Sequence, residues 1–224
     1  MAVYIHERIE IEGGGRGRFI ELIRGDWAAH ARERYAVRLA GVWATVGSTA
    51  NWPEVQLLWE MDDWEHFARA QQAQYPLEDK DAFATELWFR ALEYRQRGTA
   101  LLLEPAAGAP GPERREARGE IYLYEDVRSR PGALDSYHEA LVRDYAPVAA
   151  SRGLALFGAF RCALRPNRGL NLWELRGGWE HWREVMEGEL SHPGAQKWLE
   201  RSREWLAEID GYALAAPPAQ SLRT

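Results

Sequence analysis

Two glutamates have the setting expected of acid–base groups. Glu7 interrupts the alternate-residue series Val3, Ile5, Glu7, Ile9, and Glu125 interrupts Ile121, Leu123, Glu125, Val127. A carboxyl held in an apolar strand phase loses solvation, which raises its pKa toward neutrality. Such a group can take up and return a proton near neutral pH. The plainer alternative is that each glutamate pairs with a nearby arginine or sits at a strand edge. His6 is the third candidate catalytic residue. It belongs to the opposite phase with Tyr4 and Arg8, a phase that in the second series holds Tyr122, Tyr124, Asp126 and Arg128. If that phase lines the site, His6 and Arg8 would serve as base and anion clamp. The residue pattern leaves both phases open.

Aromatic side chains supply the expected walls of a binding site. Trp43, Trp59, Phe160 and Trp173 are candidate substrate-binding residues, with Arg161 as the group that would hold an anionic substituent. Ordinary core packing and a salt bridge are the competing roles. Glu60 and Glu174 adjoin Trp59 and Trp173. His66 and His181 follow capping segments and read as helix starts. Asp26 and His30, four residues apart, suggest a surface hydrogen bond. His138 is expected to be exposed, and His192, before Pro193, to lie in a loop over the sheet rim. No HExxH pattern, phosphate loop or strand-linked GxGxxG is present. Cys162 is the only cysteine, which excludes an intrachain disulfide and a cysteine metal cluster.

The elements that must position these residues occur twice. Leu58-Trp59-Glu60 and Trp64-Glu65-His66-Phe67 return as Leu172-Trp173-Glu174 and Trp179-Glu180-His181-Trp182. The spacing slips by a single residue between the two motifs. Tryptophan is rare, so the coincidence means a duplicated unit. Residues 105–118, rich in Pro, Gly, Ala and charge, read as a linker between a unit of 1–104 and one of 119–216, with a tail at 217–224. In each unit a period-two strand is followed by a Gly or Pro break and a long helix. Two strands, further helical stretches and a last strand complete it. The order β-α-β-β-α-β is the ferredoxin-like unit. The expected fold class is therefore α+β, with two tandem units whose antiparallel sheets pack into an α/β barrel.

The opening VYIHERIEI, the Gly/Pro break, the long helix, then GVW or GAF and LWE resemble the NIPSNAP-type domain of the dimeric α/β-barrel superfamily. That family's first strand carries Glu, Arg and Tyr at alternate positions. Here those positions hold Ile5, Glu7 and Ile9, then Leu123, Glu125 and Val127, so no catalytic role carries across by residue. The resemblance implies the barrel fold and a superfamily of cofactor-free monooxygenases, cyclases, isomerases, dehalogenating enzymes and haem proteins.

The expected function is a small-molecule enzyme, of isomerase, cyclase or lyase type. It would act on an apolar, aromatic or polyketide-like secondary metabolite in the barrel cavity, by cofactor-independent acid–base chemistry. The alternatives are a haem-binding protein, with His192 or His6 as ligand, and a non-catalytic NIPSNAP-type binding protein. The net charge of −6 speaks against nucleic-acid binding, which needs a basic face. The start lacks signal-peptide character, and no run approaches the roughly 20 apolar residues of a membrane span. A cytoplasmic protein without metal or bound cofactor, with a small molecule as partner and a possible homodimer, is the expectation.

Overall fold

The computed structural model describes residues 1–112 and 116–216. The expected tail, 217–224, and residues 113–115 of the expected linker lie outside the described residues. The chain is α+β and divides into two compact units. One is built on Met1–Leu102; the other begins at Leu103 and takes in Arg118–Ala216.

The first unit opens with β1 (Val3–Ile11) and a helical run formed by α1 (Arg16–Leu22), a π-helical turn at Ile23–Trp27 and α2 (Ala28–Tyr35). Then come β2 (Arg38–Thr45), β3 (Glu54–Met61), α3 (Trp64–Gln74), the short α4 (Leu77–Lys80), α5 (Ala82–Leu92) and β4 (Arg95–Pro105). β3 pairs antiparallel with both β1 and β2, in registers that set Glu7 opposite Leu57 and Val42 opposite Leu57. The second unit repeats the plan with β5 (Ile121–Ser129), α6 (Leu134–Ala140), a π-helical turn at Leu141–Tyr145 and α7 (Ala146–Ala150). It continues through β6 (Leu154–Cys162), β7 (Arg165–Leu175), α8 (Trp182–Ser191), α9 (Pro193–Ser202) and β8 (Leu206–Ala215). Its sheet runs β8-β5-β7-β6, all antiparallel, and the end of β4, from Leu103 to Pro105, pairs with β6. Glu125 stands opposite Asn171.

Each unit has its own core, between one sheet face and its helices. In the first, Val3, Ile9, Val55, Leu57, Trp59 and Met61 meet Phe19, Ile23, Ala31 and Leu87. In the second, Ile121, Val127, Trp173 and Leu175 meet Tyr137, Leu141, Val185 and Trp198. Strand side chains alternate between faces, so the helix-covered face is the one that carries Glu7 and Glu125.

Local chemistry sets the helix starts. Asp63 caps α3 by accepting the His66 backbone N–H at 2.7 Å, and Asp81 caps α5 by accepting that of Ala84 at 2.9 Å. Ala36 ends α2 in the left-handed region, φ 57°, with its N–H bonded to the Arg32 carbonyl.

Candidate functional site

Glu7 and Trp59 come together on the helix-covered face of the first unit. They stand on adjacent strands, offset diagonally by the register that pairs Ile5 with Trp59. The Trp59 indole Nε1–H donates to Glu7 Oε2 at 2.8 Å. Among the described residues Oε1 has no hydrogen-bond partner. The carboxyl lines a cavity of about 160 Å³ whose other walls include Trp27, Ala31, Trp88, Gln71 and Gln74. Burial pushes the Glu7 pKa up, against the Trp59 hydrogen bond and the Arg95 charge. Arg95 stacks its guanidinium over Trp88 at 4.9 Å, and its Nη1 is buried with no partner among the described residues.

The helix delivers Trp27 through its π-helical turn. One residue too many in the turn breaks the 3.6-residue rhythm and re-aims a side chain, a device common at functional sites. The second unit carries the same turn at the same place, ending on Tyr145.

The second unit builds a related but different centre. Glu125 Oε2 accepts from Trp173 Nε1 and from Asn171 Nδ2, each at 2.9 Å. The Asn171 amide also donates to the Tyr137 hydroxyl at 2.9 Å. Burial raises the Glu125 pKa; the two donors oppose it, and the nearby Glu189 charge adds to it. The Tyr137 hydroxyl is driven well above its ordinary range by burial and by the Glu125 charge. Tyr145 donates to Glu189 at 2.6 Å and stacks on Trp198, ring centroids 5.1 Å apart and planes 8° from parallel.

The remaining expected site residues fall elsewhere. Of the two phases that the residue pattern leaves open, the one with Glu7 and Glu125 is covered by helices, each glutamate under those of its own unit. His6 is on the opposite sheet face, buried, with Nε2 2.9 Å from Gln56 Oε1. Gln56 in turn donates to Glu54, which holds Arg8. Trp43 and Phe160 are also on that opposite face, since their strand neighbours Val42 and Ala159 are the ones in the helix-side cores. Trp43 lies over Gly41 and Phe160 over Gly158; a Cβ at either glycine would collide with the ring. Arg161 is engaged by Glu104 at 2.7 Å, which is the salt-bridge alternative. Glu60 pairs with Arg38.

The histidines also resolve. His66 is buried, with Nδ1 accepting the Asp62 N–H and Nε2 2.8 Å from the Tyr35 carbonyl oxygen. His192 caps α9 by accepting from Gly194 N–H. His30 bonds Asp81 at 2.6 Å and not Asp26, which pairs with Arg90. His138, expected to be exposed, is 1% exposed, and burial lowers its pKa to about 4. It follows Tyr137 on α6 and packs against Gly169, where a Cβ would meet its ring. Among the described residues no group of three His, Cys, Asp or Glu is placed to hold a metal ion.

Sequence reasoning missed Trp27, Asn171, Tyr137 and Arg95 as site components. Trp27 carried a signal as an aromatic matched by Tyr145 in the second copy, and Asn171 carried one as well. It is the one amide in the run Leu170, Asn171, Leu172, at the position where the first copy has Leu57.

No family model matches the sequence, and no curated protein does. Solved structures do. A protein described as a putative monooxygenase from Lactobacillus acidophilus matches with TM-score 0.65 and 10% identity, over 96% of this chain and 93% of its own. An anthrone oxidase-like protein matches with TM-score 0.64 and 10% identity, over 97% and 92%. A NIPSNAP domain protein from Burkholderia xenovorans matches 49% of this chain and 99% of its own, with 23% identity and TM-score 0.40. The two whole-length likenesses are likenesses of fold, and they agree with the α+β, eight-strand reading.

Proposed function

We propose that the chain is a small-molecule enzyme whose first unit performs acid–base chemistry with Glu7. The observation that carries this reading is a desolvated carboxyl, with one oxygen held by an indole N–H and the other unbonded, lining an aromatic-walled cavity. A raised pKa makes the carboxylate a stronger base, and the Trp59 N–H favours the ionised form that must act. Glu7 Oε1 would take a proton from a carbon acid next to a carbonyl. The C–H electron pair moves into the carbonyl to give an enolate, and the same carboxyl returns the proton at a second atom. Isomerisation and cyclisation both use this pair of steps, and elimination begins with the first. The step draws on no resident organic cofactor.

Oxygenation is the second reading, favoured by the names of the two whole-length fold neighbours. It would start from the same deprotonation. Nothing in this cavity favours the haem alternative. A volume near 160 Å³ is that of a single-ring ligand, far below a porphyrin. His6 and His192 are held by Gln56 and by the α9 cap.

The test is deuterium exchange at the α-carbon of aryl ketones in D2O, followed by NMR. Glu7→Gln is expected to lower enzyme-dependent exchange by at least about 100-fold while the protein stays folded by circular dichroism. Full exchange in Glu7→Gln would remove the proposal. Oxygen uptake in the same samples separates the second reading.

A further inference from the structure

Resting on Glu7 as the reacting group, we infer that the first unit's ligand is a neutral, one-ring aromatic with two oxygen substituents. Size carries the first part. An apolar cavity of about 150 Å³ holds one benzene ring, and this cavity is about 160 Å³. That space matches one ring with short substituents, and a fused three-ring system would leave much of its surface outside it. The walls carry the second part: Trp27, Trp59 and Trp88 present three indoles to one small space. Flat π-systems gain by offset or edge contact with such rings.

The polar groups on the wall carry the third part. The Glu7 carboxyl lines the cavity with Oε1 unbonded among the described residues, and the α-carbon beside a ligand carbonyl would stand there for deprotonation. Elsewhere on the cavity wall stand Gln71 and Gln74, from the last turn of α3. Neither amide has a side-chain hydrogen-bond partner among the described residues, so both can address a second oxygen. The lining residues include no cation, and the nearby Arg95 charge is already set against Glu7, so an ionised substituent would meet a desolvated carboxyl and neutral amides without a counter-charge of its own. A neutral ketone or phenol meets only groups that it can satisfy.

The probes are 4-hydroxyacetophenone, acetophenone, 4-hydroxybenzoate and anthrone, titrated against the intact protein with tryptophan fluorescence and calorimetry. Saturable quenching by 4-hydroxyacetophenone is expected, with 4-hydroxybenzoate and anthrone each at least about tenfold weaker. The double variant Gln71→Leu/Gln74→Leu is expected to weaken 4-hydroxyacetophenone about tenfold, one hydrogen-bond equivalent, and to leave acetophenone unchanged. Both glutamines are partly exposed on a helix, so the variant folds. Absence of saturable binding by 4-hydroxyacetophenone overturns the inference, as does anthrone or 4-hydroxybenzoate binding as tightly, or a double variant that weakens neither probe. Glu7→Gln keeps a hydrogen-bonding amide in place of the carboxyl and is expected to retain binding within a few-fold. Retained binding without any exchange in the wild type would sink the acid–base reading and leave the ligand class standing. Lost binding with exchange intact on larger ketones would do the reverse.

Discussion

At the scale of single residues, Glu7 is an acid whose environment works against its charge. Its folded-state pKa is raised above the unfolded value, so the folded protein binds the extra proton. Stability therefore falls as pH rises above the ordinary glutamate range, near 4.3, toward the folded pKa. Glu7→Gln removes that penalty. In urea titrations the variant is expected to gain on the wild type between pH 5 and pH 8, and to show no gain at pH 4. An equal difference at all three values would mean that the carboxyl is not desolvated. Trp59→Phe keeps a ring in the wall but deletes the N–H that holds Oε2. The Glu7 pKa should rise further, so the acid limb of a pH–rate profile should move to higher pH. Glu7 and Trp59 were both legible as residue types, the first from its place in an apolar phase and the second from its repetition. Their hydrogen bond was not legible, because it depends on a β1–β3 register that brings together residues 52 apart.

At the scale of elements, one helix was expected over residues 16–37, and the structure ends the helical run at Tyr35 and inserts a π-helical turn at Ile23–Trp27. Side-chain periodicity is too coarse to reveal one inserted residue. That turn delivers Trp27 to the cavity. The α5 start shows how one carboxylate can serve three partners. Asp81 caps Ala84 and also accepts from Tyr35 at 2.5 Å and from His30. Burial pushes its pKa up, but these donors together outweigh that and hold it at about 2. A lowered pKa gives stability that is present above the unfolded aspartate value and is lost as pH falls toward 2. Asp81→Ala should cost about 2–3 kcal/mol at pH 7, a cap plus two side-chain bonds. Asp63→Ala, which loses one cap, should cost about 1 kcal/mol. Equal denaturation midpoints for the two variants would show that the tie to α2 is energetically empty.

At the scale of the whole chain, the two units share one plan and differ around their buried glutamates. Asn171 in the second unit replaces Leu57 of the first and adds a donor to Glu125 that Glu7 lacks. Asn171→Leu should strip that donor from Glu125 and Tyr137 at once. It is expected to destabilise the protein by about 1–3 kcal/mol and to raise the Glu125 pKa further, read by carboxyl NMR. An unchanged unfolding midpoint would show the amide to be dispensable. Among the described residues no helix is long and apolar enough to cross a membrane. The sequence by itself determined the α+β class, the doubled β-α-β-β-α-β order and the two odd glutamates, because these follow from local periodicity and from repetition. Only the tertiary structure decided which sheet face the helices cover, and with it that Glu7 shares a cavity wall with three indoles and two amides while His6 does not. That choice rests on packing between segments far apart in the chain, which no local pattern encodes.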